Sequence, residues 1–256
     1  EDEPRLAQVF QTYKDWLTIM GVGNVNSLNQ AITGGRSSEV IMVAEALHER
    51  QLASIARAIA SRQPAVRLVA VSGPTSAGKT TFSKRLALQV MAQGIYPVII
   101  SLDDYFVDRE ATPRDASGAF DFESLGALDI ALFQSDMCRL MAGEEVLLPR
   151  YNFKTGRREV GTPLSIGKDH IVMIEGIHGL NPRLTDSLPE SATFRVFISA
   201  FTQLNLDKHN RVPTTDTRLL RRIVRDAAHR GYSAAQTIGR WNSVRRGEKN
   251  HIFPFQ

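Results

Sequence analysis

The sequence predicts an α/β fold, in which helices cover both faces of a doubly wound parallel sheet and a small helical segment precedes it. The prediction rests on short apolar runs that begin near Val66, Pro97, Ile171 and Phe194. None of these runs alternates cleanly between apolar and polar residues, as a strand with one exposed face would. Helical or loop segments separate them, and strands separated in this way pair in parallel. A glycine-rich loop also lies between the first run and a helix.

The leading helical segment covers residues 1–63. Apolar residues at helical spacing predict one helix over residues 5–20, which Gly21 and Gly23 end, and a longer helix over residues 38–62, which Pro64 closes. We expect this segment to be the end of an upstream domain or a linker. Residues 64–256 then form the sheet domain, and a hairpin with Gly156 in its turn is predicted over residues 145–166.

Composition excludes several classes of protein. The chain has 256 residues, of which 43% are apolar and 23% charged, as expected for one globular domain with a small appendage. No apolar run approaches the roughly 18–20 residues of a membrane span, and the acidic start lacks the pattern of a secretory signal. We therefore expect a cytoplasmic protein without membrane contact.

The single cysteine, Cys138, lies beside Met137 and near Leu140, which predicts a buried, inert thiol.

Charge is distributed unevenly along the chain. The net charge is +4 and the calculated pI is 9.4, which raises the question of a nucleic-acid partner. Residues 208–249, however, contain eleven Lys or Arg and only three acids, whereas the remainder has 20 basic and 24 acidic residues. The positive charge is therefore concentrated in one segment.

A phosphate-binding loop follows the first apolar run. The residues Gly73-Pro74-Thr75-Ser76-Ala77-Gly78-Lys79-Thr80-Thr81 match the pattern G-x-x-x-x-G-K-[ST], and a helix begins at the lysine. The glycines let backbone N–H groups turn toward a phosphate, and the helix N-terminus adds partial positive charge. Lys79 is expected to reach the β- and γ-phosphates, and the Thr80 hydroxyl to bind Mg²⁺. The alternative, a glycine-rich turn without a ligand, leaves the lysine and the hydroxyls unexplained.

Two carboxylates follow later apolar runs and are expected at the same edge of the sheet. Asp103 could accept a proton from an attacking hydroxyl and help to hold the metal's water shell, or it could be an ordinary loop acid or helix cap. Glu175 ends a very apolar run, which favours a role at the metal over a structural salt bridge. A structural role is favoured for Asp104 and for His178.

A helix rich in arginine is predicted between Pro213 and Gly231. Its one face carries Arg218, Arg221, Arg222 and Arg225, and its opposite side carries Leu219, Leu220, Ile223 and Val224. We expect the apolar side to be packed and the arginines to face a triphosphate as a lid, because Asp216 and Asp226 are too few to pair with them. A solvated surface or a nucleic-acid site is the alternative. A second helix is predicted at Ser233, where Gln236 completes a capping box.

Five ordered motifs carry a resemblance to a known family. GPTSAGKTT, SLDDYF, LPRYNFKTG, EGIHGLN and TDTRLLRRIVRDAAHRG resemble the uridine kinase and phosphoribulokinase family of P-loop kinases over residues 66–256. The resemblance implies a P-loop NTPase-type sheet with a helical lid. It also implies ATP- and Mg²⁺-dependent phosphorylation of a sugar hydroxyl, which in uridine kinases is the 5′-hydroxyl of uridine or cytidine.

The resemblance also implies roles for individual residues. Asp103 is similar to the catalytic base, acting with Lys79 and Arg221, while Thr80, Asp103 and Glu175 would hold the metal. The phosphate loop, Arg218 and Arg222 would bind ATP. Asp121 resembles a ribose-contacting acid, Tyr151 a base-stacking tyrosine and Gln236 a lid glutamine, and Arg225 is placed with them at the substrate. One departure is that residues 153–157 of the hairpin lack the histidine with which familiar uridine-cytidine kinases read the pyrimidine.

The two ends of the sequence predict a fragment of a longer protein. The segment 5–63 resembles the part of longer bacterial uridine-kinase-like proteins that joins a domain similar to the N-terminal part of threonyl-tRNA synthetase to the kinase. The family sheet has five parallel strands, whereas the sequence shows four runs. We therefore expect a fragment whose fifth strand lies beyond Gln256.

Three functional hypotheses follow from the sequence. The leading hypothesis is a nucleoside kinase that uses ATP and Mg²⁺. The second is a kinase of another small hydroxyl acceptor, such as a sugar phosphate or a pantothenate-like compound. The third is a catalytically lapsed ATP-sensing or RNA-binding module. A nucleic-acid partner is not expected, and a homo-oligomer is compatible with the sequence.

Overall fold

The computed structural model describes residues 4–116, 118–200, 204–207 and 210–256. Its regular elements are α1 (Pro4–Met20), α2 (Val25–Thr33), α3 (Ser37–Ala60), β1 (Leu68–Ser72), α4 (Lys79–Met91), β2 (Tyr96–Ser101), α5 (Ile130–Met141), β3 (Val146–Asn152), β4 (Arg157–Leu164), β5 (His170–Glu175), α6 (Pro182–Thr185), β6 (Thr193–Phe197), α7 (Thr214–Arg230), α8 (Ala234–Gly239) and α9 (Trp241–His251).

The central sheet has four parallel strands in the order β2-β5-β1-β6, as the four apolar runs predict. In the strand register, Glu175 at the end of β5 lies opposite Ser101 of β2 and Val71 of β1. The carboxyl ends of three strands therefore meet at one edge, which is where open α/β sheets bind ligands.

The side chains of β1 alternate between two cores. Val69 and Val71 pack on one face with α3 and α4, whereas Leu68 and Ala70 belong to the core that contains α5. The fold is therefore a sheet between two helical layers, and the predicted α/β class is confirmed.

Helix α3 is an integral part of one of these layers. Leu52, Ala56 and Ile59 are buried in the same core as β1, β5 and α4. On the polar side of the contact, the Arg85 Nε of α4 donates to Glu49 Oε1 at 2.7 Å, and its Nη2 donates to Glu45 Oε2 at 2.8 Å. The helix thus covers a sheet face and braces the helix that follows the phosphate loop.

The predicted hairpin is confirmed. Strands β3 and β4 are antiparallel, and Gly156 in the turn has φ 73°, a left-handed conformation that favours glycine. Asp104 ties the hairpin to the sheet edge, because its Oδ1 accepts the backbone N–H of Tyr151 at 3.1 Å.

The expectation of a buried thiol is wrong, since Cys138 is exposed. Phe133, Met137 and Leu140 are the positions at which α5 faces the core. Cys138 follows Met137 by one residue, and each residue of an α-helix turns the side-chain direction by about 100°. The apolar neighbours in sequence therefore lie on a different face of the helix.

The prediction that α7 is packed on its apolar side is also wrong. The helix buries Arg218, Arg222 and Asp226, whereas Leu220 is 65% exposed and Val224 is 69% exposed. Its predicted limits are confirmed, because Gly231 ends it in a left-handed conformation with φ 69°. The described residues include no helix with the length and hydropathy needed to cross a membrane.

Candidate active site

The phosphate loop joins the end of β1 to the start of α4. Ser76 has φ 60° and Gly78 has φ 102°, so two positions of the loop have left-handed backbone conformations. Successive N–H groups in such conformations form an anion-binding concavity. Gly73 cannot carry a side chain, because a Cβ there would overlap the carbonyl of Ile198. The predicted loop and its junction with the helix are therefore confirmed as local structure.

Lys79 is the first residue of α4 and is held at the loop. Its Nζ donates to the carbonyl oxygens of Gly73 at 2.9 Å and Pro74 at 3.3 Å. Burial lowers the pKa of Lys79, and the neighbouring carboxylates of Glu175 and Asp103 oppose that shift. The ammonium group thus lies within the electrostatic reach of both carboxylates that the sequence singled out.

Glu175 is buried at the centre of the sheet edge. The Thr80 hydroxyl donates to Glu175 Oε1 at 3.1 Å, and the Ser101 hydroxyl lies 3.5 Å from the same oxygen. Burial raises the pKa of Glu175, as does the negative charge of Asp103. These residues form a compact set of oxygen donors beside the phosphate loop.

Asp103 lies in the single turn that follows β2. The Ser101 hydroxyl accepts the backbone N–H of Asp103 at 3.3 Å, which caps this turn. The structure therefore brings Thr80, Asp103 and Glu175 to one place, as the sequence predicts. An all-oxygen set fits Mg²⁺, which commonly takes one or two carboxylates and completes its shell with water and substrate phosphates. No group of three or more His, Cys, Asp or Glu suited to a metal occurs within the described ranges.

The four arginines that the sequence predicts on one face of α7 divide into two pairs. Arg221 is exposed, donates from Nε to the carbonyl of Ser76 at 3.0 Å and lies against Gly78. Arg221 and Arg225 border a cleft of about 610 Å³ that also includes Lys79 and Thr80. This pair therefore lies above the phosphate loop, as expected of a lid.

Arg218 and Arg222 form the buried pair, and their contacts are with protein atoms. Arg218 is ion-paired to Glu248 of α9, and its Nε donates to the carbonyl of Thr75 at 3.0 Å. Arg222 lies 3.3 Å from Asp226 and 4.0 Å from Glu123. The expectation of too few acids is wrong, because Glu123 and Glu248 come from other parts of the chain.

Glu123 is a candidate that the sequence analysis missed. Its Oε2 is buried and makes no hydrogen bond within the described part of the chain. Burial raises the pKa of Glu123 to about 7, while Arg222 and Lys79 act in the opposite direction. Asp121, which the sequence analysis chose, uses its Oδ1 to accept the backbone N–H of Glu123 at 3.1 Å. Asp121 therefore shapes the turn that positions Glu123, and no spacing rule distinguishes the two acids in advance.

Tyr151 and Gln236 have definite local roles. Tyr151 is buried, and its ring packs on Phe106 and Phe153 with centroid distances of 5.5 and 5.1 Å. The Gln236 side chain accepts the backbone N–H of Ser233 at 2.8 Å, which confirms the predicted capping box. Tyr151 thus belongs to an aromatic cluster that joins the hairpin to Phe106, and Gln236 stabilises the start of α8.

The arrangement of the loop, the strand-end carboxylates and the arginine helix agrees with a comparison of sequences. The model of the phosphoribulokinase / uridine kinase family matches residues 68–256. The chain belongs to this family of kinases. Family membership supports a phosphotransferase, and α1–α3 lie outside the matched region.

Named relatives give a more detailed comparison. The chain is 28% identical to uridine-cytidine kinase B of Dictyostelium discoideum over 188 residues, which are 73% of this chain and 70% of the relative. It is 27% identical to a uridine kinase of Mycoplasma pneumoniae over 177 residues, 69% of this chain and 74% of the relative. The match to uridine-cytidine kinase A of Dictyostelium discoideum, at 25% identity, spans 74% of this chain and 34% of that longer protein.

A solved structure supports the fold. The D-glycerate 3-kinase of Cryptococcus neoformans var. grubii superposes with a TM-score of 0.55 at 16% identity, covering 79% of this chain and 87% of the other. At this identity the likeness concerns architecture alone.

Proposed function

We propose that the protein transfers the γ-phosphoryl group of ATP to the 5′-hydroxyl of a nucleoside, with uridine or cytidine as the favoured acceptor. The proposal rests on one observation: the phosphate loop, the Thr80–Glu175 pair and Asp103 converge at the carboxyl edge of the sheet. The names of the relatives supply the acceptor class, and the geometry supplies the groups that the reaction needs.

Each group has a role in an in-line transfer, in which catalysis is mainly positioning and charge stabilisation. Lys79 moves from the carbonyls of Gly73 and Pro74 to the β- and γ-phosphates. Arg221 extends from α7 over the same loop and stabilises charge on the transferring group. Asp103 accepts the proton of the attacking hydroxyl. Mg²⁺ held at Thr80, Asp103 and Glu175 would neutralise phosphate charge.

The acceptor side is formed by the hairpin and the turn that contains Glu123. The Glu123 carboxylate is suited to accept hydrogen bonds from sugar hydroxyls, because one of its oxygens is buried without a partner among the described residues. Phe153, which packs on Tyr151, is half exposed and offers a flat apolar surface to a base. Arg225 of α7 borders the cleft beside the phosphate loop.

A second candidate function is phosphorylation of a sugar phosphate, and the hairpin turn favours it. Arg109 Nη2 donates to the carbonyl of Phe153 at 3.0 Å, and its guanidinium packs against Gly156. Arg230 lies 5.6 Å from the centre of the Phe153 ring. Two cations beside the hairpin, where a pyrimidine-reading histidine would be expected, suit an acceptor with negative charge.

Asp103→Asn tests the proposed chemistry. We expect turnover with uridine or cytidine to fall by about 10²–10⁴-fold, because a general base is lost, while ATP affinity stays close to that of the wild type. Asp104→Asn is the matched control, since an asparagine oxygen can still accept the N–H of Tyr151. Unchanged turnover in Asp103→Asn would rule out its role as the base.

An acceptor panel distinguishes the two candidates. ADP release is measured with uridine, cytidine and a set of sugar phosphates at equal concentration. Nucleoside-dependent release supports the first candidate, and release that depends only on sugar phosphates supports the second. Absence of acceptor-dependent release together with tight, salt-sensitive RNA binding would favour the lapsed-kinase hypothesis instead.

A further inference from the structure

A buried ion pair connects α9 to the lid helix α7. The Arg218 side chain is 2% exposed and the Glu248 side chain is 0% exposed. Both Nη groups of Arg218 donate to the two carboxylate oxygens of Glu248. Arg245 Nη1 also donates to Glu248 Oε2 at 2.8 Å, and the Trp241 ring lies 5.5 Å from the Arg218 guanidinium carbon. The position and direction of the Arg218 guanidinium are therefore fixed from α9.

The third nitrogen of this guanidinium contacts the phosphate loop. Arg218 Nε donates to the carbonyl of Thr75 at 3.0 Å. The peptide between Thr75 and Ser76 is planar and trans, so its C=O and N–H point in opposite directions. Holding the Thr75 carbonyl toward α7 turns the Ser76 N–H away from α7. An arginine outside the loop thus determines the direction of a backbone donor within it.

Ser76, the next residue of the loop, has a backbone conformation that depends on this restraint. Ser76 has φ 60°, which is unfavourable for a residue with a side chain and persists only where the surroundings maintain it. Its own carbonyl is held by Arg221 at 3.0 Å. Two arginines of α7 therefore hold the carbonyls on either side of the strained Ser76 backbone, but only Arg218 is anchored by a buried carboxylate.

We propose that Glu248 is a positioning residue for phosphate binding: it fixes Arg218, which in turn holds the phosphate loop in its anion-binding conformation. The inference rests on the proposed function insofar as the loop binds a nucleotide. It gives Arg218 a role different from direct contact with the triphosphate. It also gives α9, whose sequence contains no recognised motif, a part in nucleotide binding.

Arg218 could act by holding the phosphate loop or by contacting the triphosphate directly, and the two roles predict different effects on the binding of ADP and ATP. The backbone of the loop grips the α- and β-phosphates, which ADP and ATP share. A loop that has lost its restraint should therefore bind ADP and ATP more weakly by the same factor. An arginine that contacts the γ-phosphate directly would affect ATP and leave ADP unchanged.

The test measures the dissociation constants of Mg²⁺-ADP and Mg²⁺-ATP for the full chain by titration calorimetry. We expect Glu248→Gln to weaken both by about tenfold, because a charge-assisted hydrogen bond to the loop loses its anchor. Arg218→Lys keeps a cation opposite Glu248 but lacks the donor to Thr75, and it should reproduce the loss. This second variant keeps the proposal testable if Glu248→Gln does not fold.

A double variant tests whether Glu248 acts through Arg218. Arg218→Gln and Arg218→Gln/Glu248→Gln should bind ADP equally, because Glu248 has no remaining connection to the loop once the arginine is absent. Arg246 lies on the same helix as Glu248 and pairs with Asp115 of a distant loop; Arg246→Gln breaks that ion pair and should bind ADP as the wild type does.

Three results would overturn the proposal: wild-type ADP affinity in folded Arg218→Lys, loss of ATP affinity alone, or additive losses in the double variant. A wild-type protein that binds ADP but phosphorylates no acceptor would contradict the proposed function without affecting this inference. A wild-type protein that binds neither nucleotide would contradict both.

Discussion

Helices α3 and α7 are both amphipathic, yet they turn opposite kinds of face toward the protein. Helix α3 buries Leu52, Ala56 and Ile59 against the sheet and leaves its charged residues outside. Helix α7 buries Arg218, Arg222 and Asp226 and leaves Leu220 and Val224 exposed. Apolar spacing predicted α3 and capping residues predicted α7, but the buried face was predicted correctly only for α3.

The difference lies in the surfaces that the two helices meet. Helix α3 shares a core with Val69 and Ile171, and burying apolar side chains in such a core is favourable. Helix α7 meets the carbonyl of Thr75 and the carboxylates of Glu123 and Glu248, for which guanidinium groups are the match. A helix beside a phosphate site can thus be packed on its charged side.

The largest expected effect tests the two faces directly. Leu52→Ala should lower the free energy of unfolding by about 2–5 kcal/mol, because it opens a cavity beneath α3. Leu220→Ala, the matched change on α7, should alter it by no more than about 0.5 kcal/mol, because that side chain is exposed. Urea unfolding of both variants decides the matter. A comparable loss in Leu220→Ala would mean that α7 is packed on its apolar side after all.

The next effect concerns the cleft side of α7. Arg221→Gln should reduce turnover by about 10²–10³-fold, because a cation positioned over the phosphate loop is lost, with little change in thermal stability. Arg57→Gln, on the exposed face of α3, is the control and should leave turnover unchanged. Steady-state kinetics with the best acceptor provide the measurement. If Arg221→Gln lowers stability and leaves turnover per folded molecule intact, the arginine is structural.

The smallest effect concerns the acid beneath α7. Burial raises the pKa of Glu123 from 4.5 to about 7. Between pH 4.5 and about pH 7 the folded protein binds more protons than the unfolded chain. The contribution of Glu123 to the free energy of unfolding therefore falls as pH rises. Relative to Glu123→Gln, the wild type should therefore lose on the order of 1–3 kcal/mol of unfolding free energy between about pH 5 and about pH 8. A difference independent of pH would show that Glu123 ionises normally.

Much of the architecture was accessible from local sequence. The phosphate loop is one contiguous motif, and the position of Asp103 and Glu175 after apolar runs was sufficient to place both at the same sheet edge. The hairpin turn at Gly156 and the end of α7 at Gly231 depend on glycines in left-handed conformations, which local sequence also shows.

The remainder depends on contacts between distant parts of the chain. Helix α9 was not predicted, because Arg245, Arg246 and Lys249 obscure any apolar period, and its buried residues include Gly247 and Glu248. The burial of Arg218 and Arg222 follows from Glu248 and Glu123, which lie 30 and 99 positions away in the sequence. The roles of Asp121, Tyr151, Arg225 and Gln236 toward a substrate remain predictions.

The concentrated positive charge has a structural explanation. Within the part of the chain that the structure describes, Asp226 lies within 4 Å of Arg222, Arg225 and Arg230, and Glu248 is shared by Arg218 and Arg245. Lys208, which the predicted basic segment includes, is outside the described residues. Five arginines of this segment are thus held against two buried carboxylates and are not presented together on an open surface, which favours the kinase hypothesis over a nucleic-acid site.

Helix α3 lies outside the region that matches the kinase family but inside the folded core. The family match begins at Leu68, so a domain boundary based on sequence similarity would be placed there. The folded core extends across this boundary, because Leu52, Ala56 and Ile59 of α3 share a core with strands inside the matched region. The family match and the folded core therefore have different limits, and removal of the leading helices would expose apolar surface of the core that α3 shares with α4.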